Sequence, residues 1–173
     1  MKDVSLTRRL LDGDSEALCE VYHLYKDDLL SVAMALLGNG YAAEDCVHDV
    51  FVQFADAART IHIQQNLRGY LMRCVANRAK NMIKRKQVQA SMPRQEIQTT
   101  DPMESPAGRL IITERAQLVC AALGRLPEAQ REVITLHLHG QLSFREIAEA
   151  LHHSINTIQS RYRYGIEKLR TIL

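Results

Sequence analysis

The sequence predicts an all-α fold, with two small helical domains joined by a flexible linker and a helix-turn-helix at the end of the second domain. Apolar residues recur at steps of three and four along most of the chain, and alternating β-branched runs are missing. The segment 87–109 holds three of the four prolines and few apolar residues, which is typical of a linker. The stretch 141–170 has the pattern of two helices separated by a tight turn.

The first domain is predicted to span residues 1–86. Asp14 or Ser15 is expected to cap its second helix, and the segment Gly38-Asn39-Gly40 is expected to end that helix. Asn66 can cap the fourth helix, and the preceding residues 59–66 have no clear period and are expected to form a loop. The four predicted helices cover 4–11, 16–37, 41–58 and 67–86.

The second domain is predicted to span residues 110–173. Its first helix runs over 111–123, and Pro127 lies in the turn into a second helix, where proline is tolerated. Ser143 and Glu146 have capping-box spacing for a helix ending at Leu151. Ser154 is an N-cap for the last helix, which carries an apolar stripe composed of Ile155, Ile158, Tyr162, Ile166 and Leu169.

The net charge of +2 hides a marked asymmetry along the chain. Residues 1–56 carry eleven acids and four bases, residues 57–95 carry nine bases and no acid, and residues 96–173 carry nine of each. An acid-free stretch in an otherwise balanced chain indicates contact with a polyanion. The acid-rich first third predicts a different partner with a basic or polar surface, although most such charged helix faces are only solvated.

The cysteine pattern predicts a cytoplasmic protein with reduced, core-facing thiols. The chain has no CxxC pair, no signal peptide and no apolar run of membrane-spanning length, so no membrane insertion is expected. The four cysteines are Cys19, Cys46, Cys74 and Cys120.

Two predicted helices carry outer faces suited to nucleic acid. Lysine and arginine serve phosphates, whereas asparagine and glutamine can also read base edges. On helix 67–86 this face holds Arg73, Asn77, Arg78, Lys80, Asn81, Lys84, Arg85 and Lys86. On the last helix it holds Asn156, Thr157, Gln159, Ser160, Arg161 and Arg163, next to the cap Ser154. The alternatives are an ordinary helical hairpin and a merely soluble basic helix.

Ordered motifs resemble those of bacterial RNA polymerase sigma factors of the extracytoplasmic-function group. AEDCVHDVFVQF, within 41–54, is similar to the family's polymerase-binding helix, and 66–86 is similar to its promoter-opening helix. L-P-x-x-x-R-x-V and S-x-x-E-I-A-x-x-L, within 123–170, are similar to its −35-reading domain. Departures from the usual pattern are His48, Tyr70, His152, His153 and Gln159. A non-glycine residue in the left-handed turn at 152–153 is expected to cost about 1 kcal/mol, and histidine tolerates that conformation better than most.

The resemblance implies a sigma factor that binds core polymerase, through the β′ clamp helices and the β flap, and recognises −10 and −35 promoter elements. It further implies an anti-sigma factor as a partner and capture of a flipped base by the 59–66 loop. The implied polymerase contacts are Asp45, His48, Asp49, Val52 and Gln53. The implied −10 contacts are Arg73, Asn77, Arg78, Asn81, Lys84 and Arg85. The implied −35 contacts are Ser154, Asn156, Thr157, Gln159, Ser160, Arg161 and Arg163.

Other function classes are less compatible with the sequence. A helix-turn-helix regulator that never binds polymerase would not need the acidic and acid-free helices, and a helical-repeat module would show a repeat period, which is missing. No catalytic, metal or cofactor site is expected, because no Ser/His/Asp arrangement, P-loop or paired carboxylate site stands out. Gly13-Asp14-Ser15 is weakly similar to a hydrolase motif, but it lies in a helix-initiating turn. One metal hypothesis stays open, namely that His137, His139, His152 and His153 meet around the helix-turn-helix.

Overall fold

The computed structural model describes residues 2–57, 66–91 and 114–173. All regular elements in these ranges are α-helices, which confirms the all-α prediction. The predicted loop 59–66 lies outside the described residues except for Asn66, and so does the predicted linker beyond Ser91. The helices are α1 (Lys2–Leu11), α2 (Ser15–Leu37), α3 (Gly40–Ala57), α4 (Leu67–Ser91), α5 (Glu114–Gly124), α6 (Glu128–Leu138), α7 (Phe144–Leu151) and α8 (Ile155–Ile172).

Helix α2 is the central element of the first unit and packs against α1, α3 and α4. The Asp14 side chain caps it by accepting hydrogen bonds from the amides of Glu16 and Ala17, at 2.8 and 3.3 Å. Gly38 ends it in the left-handed conformation, with φ of 66°. Its inner stripe is fully covered by the neighbouring helices and includes Ala17, Val21, Tyr25, Leu29, Val32 and Ala33.

Helix α4 ends later than the sequence predicts, at Ser91 rather than at residue 86. The residues that follow Lys86 contain no glycine or proline until Pro93, so nothing in them breaks a helix. The first part of the predicted linker, residues 87–91, is therefore helical.

The second unit, α5 to α8, packs its last helix closely against α6. Gly165 makes this possible, because a Cβ added there would lie 2.5 Å from Ile134 Cδ1. Ile134 forms a small buried cluster with Leu123 and Leu126, against which the inner side of α8 packs. Gly165 therefore lets the backbone of α8 lie close to Ile134 and Gln130 of α6.

The two units share one core in this structure. Helix α2 contacts α5 and α6, and α4 contacts α7. Val133 and Leu136 of α6 belong to the same buried cluster as the core of α1–α4, together with Ile147 of α7 and Ile158 of α8. Helix α6 is buried on more than one side, so it can pack within the second unit and against the first. The sequence shows the apolar residues but does not reveal that some of them join the two units.

Candidate polymerase- and DNA-binding surfaces

Helix α3 separates an apolar inner face from a polar outer face. Cys46, Val50, Phe51 and Phe54 are buried between the helices of the first unit. On the outer face Asp45, His48, Val52 and Gln53 are exposed, and Val52 keeps 48% of its surface in contact with solvent. An exposed valine among polar residues suits a contact surface. Four of the five implied polymerase contacts are therefore accessible together.

Asp49, the fifth implied polymerase contact, is paired with Arg78 of α4. Its Oδ2 accepts hydrogen bonds from Arg78 Nε, at 2.9 Å, and from Arg78 Nη2. The Arg78 side chain is 24% exposed and that of Asp49 is 39% exposed. The ion pair therefore joins one implied polymerase contact to one implied DNA contact.

The remaining implied −10 contacts lie along the open side of α4. Asn77, Asn81, Lys84 and Arg85 are exposed, and Arg73 is half-buried. At 3.6 residues per turn these positions share one broad face, with Arg78 at one edge and Lys80 at the other. An open depression near the end of the helix is lined by Lys84, Arg85, Val88 and Gln89. The face thus combines amides and cations over several turns.

Lys80 is half-buried and contacts the second unit. Its Nζ lies 2.5 Å from Oε1 of Glu128 at the start of α6. This contact raises the pKa of Lys80 and lowers that of Glu128. Glu132, one turn further along α6, also lies in this junction, and burial raises its pKa despite the nearby charges of Lys80 and Arg161. One edge of the basic face is therefore already neutralised by carboxylates.

The start of α4 is tied to the start of the helix-turn-helix. Asn66 Oδ1 accepts from the Gly69 amide at 2.7 Å, which confirms its predicted role as a cap. Its Nδ2 donates to Glu146 Oε1 at 2.9 Å. Glu146 and Ser143 form the predicted capping box of α7, with the Ser143 amide 2.8 Å from Glu146 Oε2. Two helix caps from different units are thus joined by one hydrogen bond.

The turn before α8 has the conformation expected from the sequence. His152 adopts φ of 54°, in the left-handed region, and its amide bonds back to α7. Ser154 caps α8, with its Oγ 3.1 Å from the Thr157 amide and 2.8 Å from Thr157 Oγ1. Ser154 and Thr157, both implied −35 contacts, therefore bond to each other in this structure.

The outward face of α8 is open. Asn156, Gln159 and Arg163 are exposed, and with Ser160 they line a depression on the helix surface. The Arg163 guanidinium lies over the Tyr164 ring, at 5.0 Å from the centroid. Arg161 is half-buried and its charge acts on Glu132 at the junction, so it is less available than Arg163.

Two exposed residues near this face were not among the sequence-derived contacts. Ile155 was expected in the apolar stripe but is 43% exposed, because it precedes the part of α8 that packs on α6. Tyr164 is 52% exposed beside Arg163. Helical periodicity locates a stripe but cannot show where the covering helix ends.

An aromatic cluster holds α7 and α8 at a defined angle. His137 stacks on Phe144 with ring centroids 4.5 Å apart, and Tyr162 packs against both rings. His137 Nδ1 donates to the Leu142 carbonyl at 2.8 Å. These contacts fix the recognition helix relative to the rest of the unit.

The histidines around this motif do not form the hypothesised metal site. His139 lies near Ser31 of α2, and burial lowers its pKa, whereas His152 and His153 are exposed in the turn. In the part of the chain that the structure describes, no group of three or more potential ligands could hold a metal ion.

All four cysteines are free thiols, but they are not all in the core. Cys46 is buried, which raises its pKa to about 12, and burial also raises the pKa of Cys74 and of Cys120. Cys19 is exposed on α2, contrary to the expectation that all four face the core. Separately, no helix among the described residues combines the length and apolar character needed to cross a membrane.

Comparison with known families identifies the class of protein. Residues 21–88 match sigma-70 region 2, and residues 122–171 match sigma-70 region 4. The chain therefore belongs to the sigma-70 family of RNA polymerase sigma factors. A regulator that has only a helix-turn-helix would not account for the region 2 match.

Relatives narrow the class to the extracytoplasmic-function group. The chain is 24% identical over 173 residues to the ECF RNA polymerase sigma factor SigW of Bacillus subtilis (strain 168), covering 94% of this chain and 92% of that protein. The fold is similar to CnrH, solved with the cytosolic domain of CnrY, with a TM-score of 0.74, 21% identity and coverage of 96% and 94%. It is also similar to RpoE of Bartonella quintana, solved with the anti-sigma factor NepR, with a TM-score of 0.67, 21% identity and coverage of 88% and 94%. The protein is an extracytoplasmic-function sigma factor.

Proposed function

We propose that three surfaces divide the work of promoter-specific initiation. The outer face of α3 binds core RNA polymerase, the open face of α4 holds the −10 element as the strands part, and the outward face of α8 reads the −35 element. The supporting observation is that α3, α4 and α8 each bury one side in the shared core and expose the other. The exposed side is acidic on α3, basic with amides on α4 and polar on α8. Run-off transcription with core polymerase and a promoter library tests the whole assignment. Promoter-specific transcripts support it, and no transcripts under any condition would contradict it.

Polymerase binding is assigned to the exposed residues of α3. Asp45 and His48 lie on the outer face of α3, and Val52 and Gln53 lie on the same face further along the helix. We infer that this face docks on the β′ clamp helices and that the second unit docks on the β flap. Asp45→Arg should strongly reduce co-purification with core polymerase. Asp27→Arg makes the same change of charge at an exposed position of α2 and should leave co-purification intact.

The −10 assignment depends on the amides of α4. An asparagine can pair with the edge of a base that has left the stack, whereas a lysine mainly meets phosphate. Asn77→Ala or Asn81→Ala should therefore change sequence preference in transcription more than it changes overall affinity. Gln87→Ala, an exposed amide further along the same helix, is the matched control. Equal loss on all promoter sequences would reject base reading by these residues.

The −35 assignment places the first turns of α8 in the major groove. Helix-turn-helix proteins contact base edges with the N-terminal part of the second helix, where Asn156 and Gln159 are exposed. Losing one good base contact should cost about 1–3 kcal/mol of discrimination. Arg170→Ala, near the far end of α8, removes a charge away from this region and should affect all sequences alike.

The remaining parts of the proposal follow from the family. The protein acts by binding, and polymerase supplies the chemistry and its metal, so neither catalysis nor a cofactor is assigned to this chain. It acts in the cytoplasm, where polymerase and promoters are. An anti-sigma factor is a further partner, in line with the neighbours solved with such proteins. Reconstituted transcription without added enzymes or cofactors beyond polymerase, nucleotides and Mg²⁺ tests the first point.

A further inference from the structure

The Asp49–Arg78 ion pair connects the two most different surfaces of the first unit. Asp49 lies on α3, whose outer face is assigned to polymerase, and Arg78 lies on α4, at the edge of the face assigned to DNA. One carboxylate oxygen accepts from two nitrogens of the same guanidinium, with Arg78 Nε at 2.9 Å from Asp49 Oδ2. Such a charge-assisted contact holds the orientation of the guanidinium as well as its charge.

The helices are in firm contact beneath this pair. Cys46 is fully buried, and its thiol donates to the Val75 carbonyl at 3.7 Å. Ala79 of α4 and Val50 of α3 are also buried in this interface. The backbones that carry Asp49 and Arg78 are therefore fixed relative to each other, so the pair does not need to order a mobile segment.

We propose that Asp49 is a positioning residue for Arg78 rather than a contact of core polymerase. This rests on the proposed function only in assuming that the face of α4 meets promoter DNA. Asp49 holds the guanidinium at the edge of that face, and polymerase docking is left to Asp45, His48, Val52 and Gln53.

The chemistry of arginine supports this role. A guanidinium has five N–H donors, and Asp49 engages the Nε donor and one on Nη2, so the others stay available to a phosphate or a base. A guanidinium that is already oriented loses less side-chain entropy when it binds DNA. The carboxylate also lowers the net charge at this point, which reduces sequence-independent attraction to the backbone. Asp49 therefore improves discrimination at the expense of general affinity.

The test compares four variants in two measurements. Asp49→Asn removes the negative charge of the contact, Arg78→Lys removes its two-nitrogen geometry, the double variant does both, and Asp49→Glu keeps a carboxylate. One measurement is the affinity for core polymerase. The other is the ratio of transcripts from a matched promoter and from the same promoter altered in its −10 element. Circular dichroism melting checks that each variant is folded, and the conservative Asp49→Glu and Arg78→Lys changes keep the experiment informative if another variant unfolds.

The positioning role predicts a distinctive pattern. Asp49→Asn should bind core polymerase as the wild type does, and its promoter ratio should fall about fivefold or more, the size expected for one base-reading contact. Arg78→Lys should show a similar fall, the double variant should fall no further, and Asp49→Glu should recover most of the ratio. Affinity of Asp49→Asn for unrelated duplex DNA should rise, because a negative charge beside Arg78 is removed.

Three outcomes would overturn the proposal. Loss of polymerase binding in Asp49→Asn but not in Arg78→Lys would make Asp49 a polymerase contact. Additive falls in the double variant would show that the two residues act independently. Unchanged promoter ratios in all variants would show that the Asp49–Arg78 pair is only a structural contact. If the wild type itself fails to bind polymerase, the proposed function is wrong. In that case the binding of the variants alone to −10 oligonucleotides still shows whether Asp49 positions Arg78 or only makes a structural contact with it.

Discussion

Helices α4 and α8 both present faces to DNA in the proposed function, but the chain already occupies much more of the first face than of the second. Arg78 and Lys80, at the two edges of α4, are paired with Asp49 and Glu128 respectively. The outward side of α8 is open, and Arg163 there contacts the ring and the hydroxyl of its neighbour Tyr164. The cations at the two edges of the α4 face are thus held by carboxylates, whereas the outward face of α8 is open.

The difference has an energetic consequence. A polyanion that binds α4 has to compete with Asp49 and Glu128 for Arg78 and Lys80, so its net gain in binding free energy is smaller. A polyanion that binds α8 gains counterion release without that competition. Discrimination at α4 therefore depends on contacts within the protein, whereas discrimination at α8 depends on the side chains that meet the groove. The following variants test how firmly each helix is held.

The largest effect is expected at Ile158, which anchors α8. Its side chain is fully buried, so Ile158→Ala should lower the free energy of unfolding by about 2–5 kcal/mol. Ile155, one turn earlier, is 43% exposed, and Ile155→Ala should cost about 0.5 kcal/mol or less. Denaturant unfolding of both variants measures the contrast. Equal losses would mean that α8 packs through a different face.

Asn66 should show the next largest effect, because it caps α4 and also bonds to Glu146. Asn66→Ala removes both contacts, and loss of the cap alone typically costs about 1 kcal/mol. Asn66→Asp keeps an acceptor for the Gly69 amide, but it places a second carboxylate beside that of Glu146. We expect Asn66→Asp to preserve α4 and to loosen the contact between the two units.

Thermal melting combined with small-angle scattering separates the two Asn66 variants. Asn66→Ala should lower the melting temperature, and Asn66→Asp should increase the radius of gyration. If Asn66→Asp has the dimensions and the melting temperature of the wild type, the hydrogen bond to Glu146 contributes nothing to holding the units together.

These caps were predictable because they are local. Asp14, the Ser143–Glu146 box and Ser154 each act within a few residues of their own position, so spacing in the sequence is sufficient. The left-handed His152 follows from the same kind of reasoning, because a short turn between two helices requires such a residue. The inner stripes of α2 and α4 follow from helical period.

The pairings between helices were not predictable from the sequence. Asp49 and Arg78 are 29 positions apart, and nothing in either segment indicates which of the many cations and acids would meet. Lys80 was expected on the outer face of α4, and it finds Glu128 only because α6 packs alongside. The sequence predicts two domains on a flexible linker but does not fix how they are placed, and the buried cluster that they share in this structure joins residues far apart in the chain.

The Lys80–Glu128 pair should have a small, salt-dependent effect. The side chains are 38% and 46% exposed, and pairs of this kind contribute about 0–1 kcal/mol. Lys80→Glu should lower the melting temperature at low salt more than at high salt, and the exchange Lys80→Glu with Glu128→Lys should restore most of it. Arg145→Ala, which breaks a more exposed pair with Glu149, should change less. A loss at Lys80 that does not depend on salt would mean that packing rather than charge is responsible.

The smallest effect is expected at Glu132, which lies between the two helices under comparison. Burial raises its pKa, while the charges of Lys80 and Arg161 partly offset that rise. A carboxyl whose pKa is higher in the folded state opposes folding when it is ionised, so this cost grows as pH rises from the ordinary carboxyl range through the raised pKa. Glu132→Gln should therefore match the wild type in stability at acidic pH and exceed it slightly at neutral pH. Melting temperatures across that range measure the difference, and a variant that is less stable than the wild type at neutral pH would show that Glu132 binds Lys80 and Arg161 more strongly than burial opposes it.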